Sequence, residues 1–282
     1  MTRAVAPPTR AVIENAHDVV HAARQLADGA IIAHGFANLY ALTTRPDVDT
    51  VRRANMLKGR PVDQVGSITG PPAALTEVWD FDQLPAGLRR RTVLDLWDRL
   101  LGLGPFGLRG PAATGVPEHL TSVDGGVVTT QVISPGYSCP SNRFLGEARR
   151  AAGVDLLHVT SANLSRHLTG AEDTPAHWLA AGVRADFGGD PQVVLVEHTD
   201  EAATRARYPG HRTTSTSILG FHRVLRVAGD ARPHLVLERH GSLPAAAVQG
   251  VLADVGLGLV LGPRAGTRLE SRDYDRTSLR GT

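Results

Sequence analysis

The sequence predicts an α/β protein, and three observations carry that prediction. Short apolar runs of strand length alternate with amphipathic helical stripes along the whole chain. The helical stripes carry start and stop residues at their ends. No internal repeat and no long charge run interrupts the alternation.

In order, Asn15 or Asp18 caps a helix whose stripe is Val19, Val20, Ala23 and Leu26, stopped by Gly29. Ala30–His34 and Leu39–Thr43 read as one extended stretch with a break around Gly35. A second helix spans Asp47–Lys58, with Gly59 and Pro61 as its stop. Thr92–Leu101 is helical, and Ser141 caps a helix that runs to Ala152 before Gly153. Val154–Thr160 is a strand that opens into the polar run SANLS. Asp173-Thr174-Pro175 starts a helix that Gly182 closes. Gln192–Glu197, Ser217–Leu219, Val224–Val227 and His234–Leu237 are further strands. Ser242 caps a last helix containing Val248, Leu252 and Val255, followed by apolar Leu257–Leu261. This unit reads as a short appended extension, and the polar tail from Arg264 reads as mobile, like the Pro-rich first 12 residues.

Composition narrows the function. The 282 residues carry 30 basic and 28 acidic side chains, a formal charge of +2, which argues against a polycationic nucleic-acid-binding tail. No apolar run reaches 18 residues and no secretory signal opens the chain, so a cytoplasmic protein without a membrane partner is expected. Cys139 is the single cysteine, which excludes an internal disulfide and a multi-cysteine zinc site. Of the 30 cations, 29 are Arg and one is Lys58. Arg is a planar fork and Lys a compact point charge, so a site that needs the latter resists replacement.

Three motifs fail on context. Gly102–Gly107 fits G-x-G-x-x-G, but a helical pattern precedes it and Pro105 removes a donor. Arg239-His240-Gly241 resembles the start of a histidine phosphatase, yet only 41 residues follow Gly241. His17 and His21 stand four apart on a helix but opposite its apolar stripe, with no carboxylate partner, so no metal site is expected.

Four segments remain: Lys58-Gly59-Arg60-Pro61; Thr160-Ser161-Ala162-Asn163-Leu164-Ser165; Ala185-Asp186-Phe187-Gly188-Gly189; and Thr214-Ser215-Thr216-Ser217-Ile218-Leu219. Two different cations at a helix end suit polyanion handling. Polar residues off a buried strand stand where open α/β sheets bind ligands.

In this order the segments resemble the YrdC-like domain of threonylcarbamoyl-adenylate synthases, with its KxRP, TSANxSG, DgG and ST-[IV] motifs, over roughly residues 14–229. The resemblance implies a twisted, open mixed sheet with a concave, positively lined cavity, and residues 230–282 as a C-terminal extension with a mobile tail. It implies condensation of L-threonine, bicarbonate and ATP, with Mg2+, into threonylcarbamoyl-AMP for tRNA t6A modification. Lys58 and Arg60 would act on the phosphates, joined in the nucleotide site by Ser161, Asn163, Ser215 and Thr216. Charge neutralisation and positioning suffice for such a reaction, so no side-chain nucleophile is required.

The chain also departs from the family pattern. The PTxTxYGL segment is Gly35–Leu42 here, with Phe36 and Asn38 at the threonine positions and Tyr40 retained, so these three would shape the acceptor pocket. The PGPxT segment lacks its Thr, the R-x-P strand near Gln131–Pro135 lacks its Arg, and SANLS runs into Arg166. About 20 additional residues precede STS. The nucleotide side is therefore better kept than the amino-acid side. Two alternatives follow: carbamate adenylation or carbamoyl transfer with another small amine or carbamoyl donor, and a non-catalytic homologue that binds double-stranded RNA.

Overall fold

The computed structural model describes residues 10–165 and 175–274. Its elements are α1 (Ala16–Ala27), β1 (Ile31–Phe36), β2 (Leu39–Thr44), α2 (Val48–Leu57), β3 (Ser67–Thr69), α3 (Arg90–Leu103), β4 (Phe106–Pro111), β5 (Thr121–Asp124) and β6 (Val127–Ser134). There follow α4 (Ser141–Ala152), β7 (Leu157–Ser161), α5 (Ala180–Phe187), β8 (Val193–Val196), α6 (Glu201–Ala206), β9 (Ile218–Val227), β10 (Asp230–Arg239), α7 (Ala245–Ala253) and β11 (Gly258–Leu261). The strands form one mixed, open sheet in the order β11-β10-β9-β4-β6-β3-β7-β2-β1-β8, with β5 paired to β6. Among the described residues no helix is long and apolar enough to cross a membrane.

Helices on both faces of the sheet explain why β1 and β2 are buried along their whole length. Ile32 and Phe36 pack with Val19 and Leu26 of α1 and Phe144 of α4. Ile31 and Ala33 pack on the opposite face with Ala54 of α2 and Val183 and Phe187 of α5. Both faces are covered, so the few polar side chains on these strands, such as His34 and Thr43, must pair inside the fold. A third cluster joins Leu96, Trp97 and Leu100 of α3 and Val248 and Leu252 of α7 to Ile68, Leu108, Val132 and Leu219 of the sheet.

The start signals hold where a side chain reaches a backbone donor. Asn15 Oδ1 accepts from the N–H groups of His17 (2.9 Å) and Asp18 (3.4 Å), and Asp47 Oδ1 from that of Thr50 (3.0 Å). Other expectations are corrected. The break in the first extended stretch lies at Ala37-Asn38, not Gly35, and there the chain reverses into an antiparallel hairpin that pairs Phe36 with Leu39. Ala37 takes φ 53°, a conformation that favours glycine in tight hairpins, and its N–H donates to Cys139 Sγ at 3.2 Å. Ser217–Leu219 and Val224–Val227 belong to the single strand β9, apart from Ser217 just before it. Ser242 is not a cap: α7 begins after Pro244, and Ser242 Oγ faces His211 Nδ1 at 2.8 Å.

The helix expected to end at Gly182 instead contains it. Asp173 and Thr174 lie outside the described residues, as does Arg166, and α5 begins at Ala180. A Cβ on Gly182 would stand 2.3 Å from His177 Nδ1 and 2.7 Å from the Tyr274 hydroxyl, so close packing and not a helix stop requires the glycine. The 229/230 boundary falls at the turn between β9 and β10. β10 and β11 continue the sheet, and α7 adds to the α3 core. The polar tail is tied down as far as Tyr274: Trp178 Nε1 donates to Arg272 O (2.9 Å), and Arg272 donates to Pro175 O (3.0 Å).

Two buried histidines give the fold an acid limit. His34 contacts Gly35 O (3.0 Å) and Thr43 Oγ1 (2.8 Å), and His158 contacts Thr44 Oγ1 (3.0 Å). Burial chiefly holds both down at about 3. The unfolded chain takes up these protons near pH 6.5, so their stabilisation is complete above that value and falls away towards pH 3. The slope is about 1.4 kcal/mol per pH unit for each histidine. The urea midpoint is expected to drop between pH 6 and pH 4, and the His34→Gln/His158→Gln double variant to flatten that drop. An equal slope in both proteins would refute it.

Candidate functional site

The end of α2 builds the first half of the site. Lys58 caps the helix, and Gly59 takes φ +66°, which a side chain would disfavour. Gly59 N–H then reaches Met56 O, and Arg60 N–H reaches Asn55 O, each at 2.9 Å. This paired closure turns the chain back, so Lys58 and Arg60 both meet the end of β7. Asn55 locks the following loop by donating to Val62 O (3.1 Å) and Gln64 O (2.8 Å).

The second half comes from β7. Lys58 Nζ donates to Ser161 O and lies 3.4 Å from Ser161 Oγ. Arg60 donates to Thr160 Oγ1 at 2.7 Å, and Ser165 N–H returns to Lys58 O at 2.8 Å. Lys58 is 0% exposed, whereas Arg60 and Ser161 keep part of their surface. Burial drives the Lys58 ammonium well below its ordinary value, Arg60 pushes the same way, and Asp186 opposes them. Burial likewise lowers Arg60 to about 10.

Behind this loop stand buried His177 and half-buried Asp186 and Tyr274. Asp186 Oδ2 contacts His177 Nε2 at 2.7 Å and accepts from Leu164 N–H at 3.4 Å. His177 Nδ1 meets the Tyr274 hydroxyl at 2.6 Å, and the two rings stack at 5.9 Å. His177 N–H also donates to Ala162 O at 3.2 Å. Of the three, only Asp186 stood within a segment the sequence marked, and it lies on α5.

The remaining expected residues are dispersed around this centre. Asn163 is buried, and its amide donates to Leu164 O at 2.7 Å. The β1–β2 hairpin is tied to the SAN loop by Ala162 N–H to Tyr40 O (3.0 Å) and to the 212–216 loop by Asn38 Nδ2 to Arg212 O (2.9 Å). Phe36 packs within the core, and the Tyr40 hydroxyl donates to Glu201 Oε1 (2.7 Å) while accepting from His198 N–H (3.1 Å). Ser215 and Thr216 meet the C-terminal segment: Ser242 N–H donates to Ser215 O (2.9 Å), and Arg239 donates to Thr216 O (2.6 Å) and Oγ1 (2.9 Å).

Mg2+ takes hard oxygen ligands. Asp186, the carboxylate that acts on Lys58, is already bound by His177 and Leu164, so the site suits an ion brought in on phosphates better than one held by protein. Elsewhere among the described residues, Asp124, His222 and Glu238 come within 4.8 Å of one another. Arg109 meets Glu238 (3.2 Å) and Arg223 meets both Asp124 (3.0 Å) and Glu238 (3.5 Å). Two anions thus face two cations around His222.

No family model matches the sequence, and no curated protein matches it. Solved structures do match the fold. P. abyssi Sua5 complexed with L-threonine superposes with a TM-score of 0.58 at 18% identity, covering 90% of this chain and 65% of that one. A doubly substituted P. abyssi Sua5 gives 0.59 at 20%, over 88% and 62%. The chain thus spans a little under two thirds of the P. abyssi protein's length. A hypothetical protein, smu.1377c of Streptococcus mutans, gives 0.58 at 15%, over 86% and 94%. With the order and pairing of its strands, these matches establish that the chain has the YrdC-like fold.

Proposed function

We propose that the chain is an ATP-dependent enzyme that forms a carbamoyl-adenylate, in the simplest case threonylcarbamoyl-AMP from L-threonine, bicarbonate and ATP, for tRNA t6A modification. One observation carries the reading: the only lysine of the chain is enclosed one residue from Arg60, and both cations are bonded to the end of β7. The amine and bicarbonate give a carbamate and water. A carbamate oxygen then bonds to the α-phosphorus as the bond to the β-phosphate oxygen breaks, and pyrophosphate leaves. Two anions must approach, so charge neutralisation by Lys58 and Arg60 is the main requirement. Ser161 and Asn163 add hydrogen bonds beside them, Ser215 and Thr216 complete the nucleotide pocket, and Mg2+ arrives on the phosphates.

The L-threonine held by P. abyssi Sua5 supports an amino-acid acceptor. Here Phe36 is committed to the core and the Tyr40 hydroxyl to Glu201, while Asn38 Oδ1 is buried with no donor of its own. A pocket built to bond a hydroxyl discriminates by about 10⁴ or more in the best cases. With an amide in place of that contact, threonine and valine, which replaces the hydroxyl by a methyl group, are expected to differ by less than about 10-fold. Pyrophosphate release across amino acids, with and without bicarbonate, tests both points. Release with a different amine only would favour the other-acceptor reading. No release with any amine, together with salt-sensitive binding of double-stranded RNA, would overturn the enzyme.

A further inference from the structure

We infer that Asp124, His222 and Glu238 bind one divalent first-row transition-metal ion such as Zn2+. The site shares no residue with the Lys58–Ser161 site and does not depend on the adenylation reading. Its side chains are brought together by two departures from a plain sheet. β6 and β4 lie between β5 and β9, so the β5–β6 hairpin must arch across the face for Asp124 to reach His222. Leu237 pairs with Leu219 and Arg239 with Ile218, which leaves Glu238 as the extra residue of a β-bulge. Gly220 makes the room: a Cβ there would stand 2.7 Å from Glu238 Oε1 and 3.3 Å from His222 Cε1.

Spacing and chemistry both fit such an ion. His222 Nε2 lies 3.0 Å from Asp124 Oδ2 and 3.8 Å from Glu238 Oε1. Zinc bonds of about 2.0–2.2 Å put neighbouring ligands of a tetrahedron about 3.3 Å apart, so small movements complete the geometry. One imidazole beside two carboxylates suits Zn2+ and its neighbours better than Mg2+ or Ca2+, which take oxygen. The His222 side chain is 1% exposed and aims Nε2 at the two carboxylates, while Nδ1 has no partner. At His177, Tyr274 and Asp186 commit both nitrogens. At His222 no donor on Nδ1 fixes the hydrogen on Nε2, so the Nε2 lone pair is open to a cation. Three protein donors leave the fourth position to water or an incoming ligand.

Two arginines share the carboxylates, and their placement says which one yields. Arg109 meets Glu238 Oε2 at 3.2 Å, not the oxygen that faces His222. Arg223 spans Asp124 Oδ2 (3.0 Å) and Glu238 Oε1 (3.5 Å), the two oxygens the ion needs. Arg223 is 38% exposed and Arg109 21%. Arg223 therefore swings into solvent as the ion enters, and Arg109 stays to orient Glu238. The bound ion ties the arched hairpin to β9 and β10.

The full chain, stripped with a chelator and dialysed, is titrated with ZnCl2 by calorimetry and by melting temperature. One Zn2+ per chain is expected, with a melting temperature several degrees higher at about 100 times Kd. His17 and His21 are the competing ligands on α1, so binding should persist in His21→Ala. Loss of a group that supports a ligand costs about 10–100-fold, so Asp124→Asn is expected to cost at least about 100-fold. Arg223→Gln frees both carboxylates and is expected to tighten binding by about 5-fold, whereas a network that serves only as ion pairs gains nothing. Absence of one-to-one binding in wild type would overturn the inference, as would binding lost in His21→Ala and kept in Asp124→Asn. If Asp124→Asn does not fold, Co2+ in wild type decides. Paramagnetic shifts centred on Asp124, His222 and Glu238 support the site, and shifts centred on His17 and His21 overturn it.

Discussion

Lys58→Met is expected to cut pyrophosphate release by about 10²–10³-fold while the protein stays folded. Methionine has nearly the length of lysine and none of its charge. Lys58 is fully enclosed, and an enclosed ammonium costs solvation that its partners only partly return. An apolar side chain of the same volume therefore changes the melting temperature little, whereas the proposed reaction would lose a cation beside the phosphates. Lys58→Arg separates charge from shape. It keeps the charge but must fit a larger planar fork into closed space, so it is expected to lose both activity and stability. Turnover near wild type in Lys58→Arg would show that any cation suffices.

Gly241→Ala carries the largest expected effect on stability. A Cβ there would stand 2.2 Å from Ser215 O and 2.6 Å from the carbonyl carbon and oxygen of Thr216. These are backbone atoms at the entry to β9, so no side-chain rotation relieves the overlap. Overpacking of this kind costs about 1–3 kcal/mol, which lowers the melting temperature by several degrees in a chain of this size. The same shift would displace Ser215 and Thr216, so the apparent KM for ATP should rise in material that remains folded. A variant with unchanged melting temperature and KM would separate this turn from the proposed nucleotide site.

How much of this was legible depends on the distance over which each residue acts. The cap at Asn15 bonds within three residues, and the Gly59 stop within five, so the sequence reveals them directly. Lys58 and Arg60 were legible because a helix stop and a singular residue coincide. The β1–β2 turn was misread because Ala37 occupies a glycine conformation that nothing local announces; Cys139, 102 residues away, bonds its N–H. Gly182 was misread for the same reason: its purpose is His177 and Tyr274, and a stop signal looks identical. The His177–Tyr274 contact spans 97 residues, beyond any periodicity. Phe36 and Tyr40 matched a pocket motif, yet the sheet turns one into core and binds the other to α6.

The sheet order also dictates when the protein can fold. β1 pairs on one side with β2 at once, but on the other side in parallel with Val193–Val196, about 160 residues later. β4 likewise waits for β9. Parallel partners so distant in sequence form slowly, because loop closure is paid before the pairing returns anything. At synthesis rates of about 5–20 residues per second, the outer edge of Ile31-Ile32-Ala33 stays unpaired for roughly 10–30 s on a ribosome. An apolar strand with an open edge is a template for wrong partners over that interval. Yield on expression should therefore depend on elongation speed and holding chaperones more than on the stability of the finished fold.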